Sequence, residues 1–176
     1  SNGTIFLSSM DHKVYAIEAA TGKQLWATDC GGAINSSPAF HDNGTVIIGT
    51  LAGELLALDE TTGSIAWRTT LAGGVWSQPV IKENTAYVGD YSGTISAVDT
   101  ATGEISWQVD IGGIITGSGA LTPDGLVFND EDGKVVLVNF DGVSQWEDKL
   151  EAKLYGTPNY AGDVVVVPLS QSKDLL

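Results

Sequence analysis

The sequence is short of most residues that chemistry relies on. Its 176 residues include one cysteine, Cys30, and two histidines, His12 and His41. A lone thiol forms no internal disulfide and says nothing about redox compartment, so Cys30 reads as a small residue closing a strand. Both histidines fall at hairpin positions with no second His or Cys at ligand spacing, which leaves a zinc site without support. Only 8 Lys and Arg stand against 22 Asp and Glu, for a formal net charge of −14. A surface that negative repels nucleic acid and anionic membranes. The longest apolar run, "VVVV" at 164–167, is far too short to span a bilayer as a helix. A G-x-S-x-G elbow, a phosphate loop and a CxxC pair are all missing, which removes three common routes to catalysis. No window carries a sustained 3.6-residue apolar period, so almost no helix is expected.

What the sequence does have is glycine, 22 of them against five prolines. They lie among short Val, Ile, Leu, Ala and Thr runs, the pattern of many strands and tight turns. It also repeats itself. "AIEAATGKQLW" at 16–26, "ALDETTGSIAW" at 57–67 and "AVDTATGEISW" at 97–107 share one wording, with a worn copy, "LVNFDGVSQW", at 137–146. Trp26, Trp67, Trp107 and Trp146 lie 41, 40 and 39 residues apart, and Gly22, Gly63, Gly103 and Gly142 keep step. Pro38, Pro79, Gly119 and Pro158 share another register. A fixed period near 40 with several landmarks in phase marks an array whose units bury their faces only against neighbours.

In the second unit, the turn residues divide the chain into strands at about 36–41, 45–50, 54–59 and 64–71. "DNG" and "AG" supply positive-φ turns, and "DETTG" lets Asp59 cap backbone amides before Gly63 takes a left-handed conformation. Four antiparallel strands of five or six residues per 40 suit a propeller blade better than a solenoid coil. Units are expected at about 1–30, 31–72, 73–112, 113–151 and 152–176. The recurring Gly pairs at 31, 73 and 112 mark the connections between blades. Trp at one place in every unit is expected to fill space between blades, since a residue needed once for chemistry has no reason to recur.

The pattern A-x-[D/E]-x-x-T-G-x-x-x-W, complete three times, resembles the tryptophan-docking motif of the pyrroloquinoline quinone (PQQ)-type β-propeller repeat. The resemblance covers nearly the whole chain. It implies an all-β propeller of four-stranded antiparallel blades, about four of them present from a ring of seven or eight. Trp26, Trp67, Trp107 and Trp146 are then the structural docking residues. Both ends fall inside a unit, so the edges are expected to pair with further blades or another copy. Residues 3–9 already match the middle of a repeat, so the natural start is expected to lie upstream.

Functional residues are sought where register-matched positions disagree. The mouth of each innermost strand carries Asn35, Trp76, Thr116 or Tyr155, and Trp76 is the one Trp outside the motif. These four are the candidate partner-binding residues, since aromatic rings at a channel rim can stack on a ligand or peptide. "NDEDG" at 129–133 resembles part of a calcium loop but lacks the distal Glu, and it is read as a solvated acidic hairpin. Sequons stand at Asn2, Asn35 and Asn43.

Two functions follow from the resemblance. One is a noncatalytic scaffold similar to the BamB-type outer-membrane assembly lipoproteins. It would bind other proteins or extended peptides, use no cofactor and work outside the cytoplasm, at the periplasm or cell surface. The other is a quinoprotein alcohol or sugar dehydrogenase carrying PQQ and calcium. Its relatives commonly stack the cofactor against a disulfide of adjacent cysteines, which Cys30 alone does not supply. The scaffold is preferred, with no catalytic, cofactor or metal residue assigned.

Overall fold

The computed structural model describes residues 3–170. Asn2 and the last residues of the unit expected at 152–176, from 171 onward, lie outside the described residues. Seventeen strands occur, all paired antiparallel, and no helix is present among the described residues.

The first sheet holds β1 (Thr4–Ser8), β2 (Lys13–Glu18) and β3 (Gln24–Asp29). Three four-stranded sheets follow. Strands β4 (Ala39–His41), β5 (Thr45–Thr50), β6 (Glu54–Asp59) and β7 (Ile65–Thr70) form the second. β8 (Val80–Lys82), β9 (Thr85–Gly89), β10 (Thr94–Asp99) and β11 (Ile105–Asp110) form the third. The fourth is β12 (Ala120–Thr122), β13 (Gly125–Asn129), β14 (Lys134–Val138) and β15 (Ser144–Lys149). The short pair β16 (Asn159–Tyr160) and β17 (Val165–Val166) begins a fifth. These are propeller blades, and the described sheets do not close into a ring.

The strands expected at 45–50 and 54–59 match β5 and β6. The innermost strand is shorter than expected, because residues 36–38 approach it as a connecting segment that ends at Pro38, a residue with no amide to donate to a ladder.

Burial explains the sequence pattern of the blades. Middle strands such as β5 and β6 are buried at nearly every position, which requires cover on both faces and so a near-continuous apolar run. The outer strands β7 and β11 alternate exposed and half-buried residues.

Four apolar clusters hold the array together, one in each gap between successive sheets. Val14 meets Val46, Ile48, Leu56 and Leu58 in the first. Ile47, Leu55 and Ala57 meet Ala86, Val88 and Val98 in the second. Tyr87, Ile95 and Ala97 meet Leu126, Phe128, Val136 and Val138 in the third. Val127, Val135 and Leu137 meet Leu154 and Val165 in the fourth. No blade contains a core of its own, which is the physical content of the repeat.

The recurring wording has a local explanation. Trp67 stands directly across from Ala57, Trp107 from Ala97, and Trp26 from Ala16, so the motif's small residue makes room for its large one. A register shift follows that Ala in each of these three blades, and follows Leu137 in the fourth. The indole then reaches the next blade. Trp26, Trp67 and Trp107 donate Nε1–H to the carbonyls of Glu60 (3.2 Å), Thr100 (2.9 Å) and Phe140 (2.9 Å). Gly103 sits at φ +76° with the Trp67 ring so close that a Cβ would lie 2.7 Å from Cδ2. The motif's glycine therefore serves the preceding blade's tryptophan as well as its own turn.

Asp59 tightens that turn by accepting hydrogen bonds from the amides of Thr61 and Thr62 at 3.0 and 2.7 Å, and Asp99 repeats the arrangement with Ala101 and Thr102. These amide donors hold both carboxyls below the usual carboxylate range, the Thr62 amide leading for Asp59 and the Thr102 amide for Asp99. Trp146 differs from its three counterparts. It is 43% exposed.

Candidate functional site at the channel mouth

The innermost strands stand side by side along the inner rim. Gln78 donates Nε2–H to the Pro38 carbonyl across one blade boundary at 2.8 Å, and Ser118 donates its amide to Thr157 Oγ1 across another at 3.0 Å. At one end of this rim, each connection between blades is clamped between two hairpin turns. Val75 donates its amide to the Thr50 carbonyl of the blade behind, while Tyr91 of its own blade donates to Gly74. Ile115 with Asp90 and Glu131 with Ile114 repeat the clamp one unit later.

The clamp sets which side chains face out. Ile34, Val75, Ile115 and Leu154 are buried as plugs between blades. Gly49 and Gly89 make room beneath two of them, for a Cβ on Gly89 would lie 2.5 Å from Ile115 Cγ2. The residue after each plug must turn the other way. It is Asn35, Trp76, Thr116 or Tyr155, one candidate per blade.

Asn35 and Tyr155 are exposed, the latter by 50%, whereas Thr116 is half-buried and its hydroxyl meets no hydrogen-bond partner. Trp76 is 39% exposed and stacks on Tyr91, with ring centroids 5.8 Å apart and planes 20° from parallel. The four candidates make no ring contact or hydrogen bond with one another.

Tyr91 went unnoticed in the sequence although a signal was there. It belongs to another register whose members disagree, Met10, Leu51, Tyr91 and Glu131. Partial burial and then the nearby Glu131 carboxylate raise the Tyr91 phenol above its ordinary value. Lys153 pairs with Asp132 at 2.5 Å, and that hydrogen bond and charge, with smaller contributions from Tyr155 and Glu131, raise its pKa.

The acidic hairpin at 129–133 is less solvated than its composition suggests. Asp130 and Asn129 are buried. Asp130 Oδ1 accepts the Lys134 amide at 2.8 Å, and the register-matched Asp90 accepts the amides of Gly73, Ser92 and Thr94. Both carboxylates therefore serve the turn. No three His, Cys, Asp or Glu side chains among the described residues converge to hold a metal ion. Cys30 is fully buried after β3, and desolvation pushes its thiol up to about 11, so it is a poor nucleophile and a poor redox partner. His41 bridges two blades, with Nε2–H toward the Glu83 carbonyl at 2.9 Å and Nδ1 accepting the Asn43 amide, and so both ring nitrogens are spent on structure.

Buried faces shared between four-stranded sheets, tryptophans reaching the next blade and a rim of non-repeating side chains define a β-propeller of PQQ-like repeats. The family model described as "Outer membrane protein assembly factor BamB" matches residues 10–175, and the chain belongs to that family. No curated protein matches its sequence.

Among solved structures, BamB from Moraxella catarrhalis superposes with a TM-score of 0.82 at 20% identity, over 96% of this chain and 56% of that one. A computationally designed protein gives 0.83 at 18% identity, over 96% and 53%. A europium-containing methanol dehydrogenase gives 0.70 at 15% identity, over 86% and 41%. At such identities the likeness is one of fold. The chain spans about half the length of the solved structures it matches.

Proposed function

We propose that this chain is part of a noncatalytic scaffold that binds other proteins or extended peptides during cell-envelope assembly, outside the cytoplasm. One observation carries the reading. Side chains that recur in register are spent on packing, whereas the exposed aromatic residues at the mouth break the register. Membership of the BamB family supports the same reading. No helix among the described residues is long and apolar enough to cross a membrane.

The test is a double variant, Trp76→Ala with Tyr155→Ala, in the full-length protein against a partner isolated with it. Both residues are substantially exposed, so folding is expected to survive. Calorimetry is expected to record a loss of about 2 kcal/mol or more in partner affinity, as for aromatic anchors at other interfaces. An unchanged affinity would move the site to the outer strands or to the hairpin at 129–133.

The second reading, a portion of a PQQ-dependent dehydrogenase, draws on the fold shared with methanol dehydrogenase. The donor set does not fit it. Asp90 and Asp130 are occupied by backbone amides, the one thiol is sealed in a core, and among the described residues no carboxylate trio converges on the rim. Titration with calcium and PQQ, followed by tryptophan fluorescence, is expected to show no saturable quenching at micromolar cofactor. Saturable quenching there would favour the dehydrogenase.

A further inference from the structure

We propose that the Trp76–Tyr91 pair, with Glu131 beside it, is a recognition pocket for an arginine side chain presented by a partner protein. This rests on the scaffold reading above and names the chemistry of its partner. Three features converge on it.

The first is the stacked pair itself. Trp76 and Tyr91 come from different segments of the third blade, the connecting segment and the β9–β10 hairpin, and are 39% and 37% exposed. Two aromatic rings held nearly parallel by fixed backbone present an ordered π surface, which costs little entropy to engage.

The second is charge. Glu131 comes from the next blade and is tied to the same segment as Tyr91's hairpin, since its amide donates to Ile114 while Ile115 donates to Asp90, and it enters none of the ion pairs among the described residues. The neighbouring Asp132 is matched by Lys153, which leaves Glu131 as the local anion without a salt bridge. The backbone fixes its place as well, because its amide donates to Ile114 and its carbonyl accepts from Leu154.

The third is the field of the whole chain. A net charge of −14 favours the approach of a cationic segment and opposes an acidic one.

Arginine fits this combination better than other side chains. A guanidinium is planar, stacks on Trp and Tyr faces, and can at the same time present two N–H donors to a carboxylate. An aliphatic anchor would use the rings but gain nothing from Glu131. Ile114, 43% exposed and joined to Glu131 through the backbone, offers apolar cover for the methylene stem.

The test uses a labelled Gly/Ser peptide carrying three arginines and matched peptides with glutamine, glutamate or tryptophan in their place. Fluorescence anisotropy is read against the unaltered chain and against Trp76→Ala, Trp76→Phe and Glu131→Gln. The arginine peptide is expected to bind. Replacing its arginines with glutamine, or Trp76 with Ala, is expected to weaken binding about tenfold, and Glu131→Gln about fivefold. Trp76→Phe, which keeps an aromatic face, is expected to retain most of the affinity, which guards against a folding defect in the Ala variant.

Arginine-peptide binding that ignores both Trp76→Ala and Glu131→Gln would overturn the pocket, as it would reflect only the acidic surface. Binding of the tryptophan peptide equal to that of the arginine peptide, with the same loss in Trp76→Ala, would overturn the arginine assignment while keeping the mouth as a binding site. Absence of binding by every peptide would overturn the pocket. The Trp76→Ala/Tyr155→Ala measurement with the isolated partner would then decide the scaffold reading separately.

Discussion

Trp67→Ala is expected to destabilise the protein by about 3 kcal/mol, the lower end of the range for truncating a buried aromatic residue. The indole does three things at once. Its ring packs against the second apolar cluster, its Nε1–H satisfies the Thr100 carbonyl, and its face supports the turn at Gly103. All three contacts reach the next blade, so truncation loosens a boundary between units and the loss spreads to both sheets. Trp67→Phe keeps a ring but leaves the Thr100 carbonyl without that donor, and about 1 kcal/mol is expected for it. The control is Trp146→Ala, at the exposed member of the set, where a change within about 0.5 kcal/mol is expected. Urea denaturation of the three variants checks the series. Equal losses for Trp67→Ala and Trp146→Ala would remove the docking role.

Gly89→Ala is expected to cost about 2 kcal/mol, although it adds a single methyl group. The added Cβ would lie 2.5 Å from Ile115 Cγ2 and 3.0 Å from Ile115 Cβ. Ile115 is fully buried, and its amide is tied to the Asp90 carbonyl, so it has little room to retreat. In the Ile115→Ala background the same glycine substitution is expected to cost at least about 1 kcal/mol less, because Cγ2 and Cδ1, two of the three atoms it meets, are gone and only Cβ remains. Thermal denaturation of the four proteins of this cycle supplies the coupling. Strict additivity would show that the close approach is not what excludes a side chain at Gly89.

The candidate site was only half legible in the sequence. Trp76 and Tyr155 stood out because they break a register, and the clamp between hairpins explains why that register faces outward. Tyr91 and Glu131 break a register too, but they lie 15 and 55 residues from Trp76 in the chain: the folding of the third blade stacks Tyr91 on Trp76, and only the placement of the next blade brings Glu131 near Tyr91. The acidic hairpin was read as solvated because its composition is acidic. Asp130 is buried instead, since its carboxylate is a better acceptor for the turn's own amides than a loose surface charge.

The sequence by itself determined the repeat, its four-stranded unit, the turns and the residues that pack between units, because each of these depends on local spacing and on contacts that recur with every period. Only the tertiary structure decided which tryptophans are covered, which glycines accommodate a neighbour's side chain and which rim residues meet. Those outcomes depend on what the adjacent blade presents at one point, and a repeating pattern carries no record of where it is broken on the other side of a boundary.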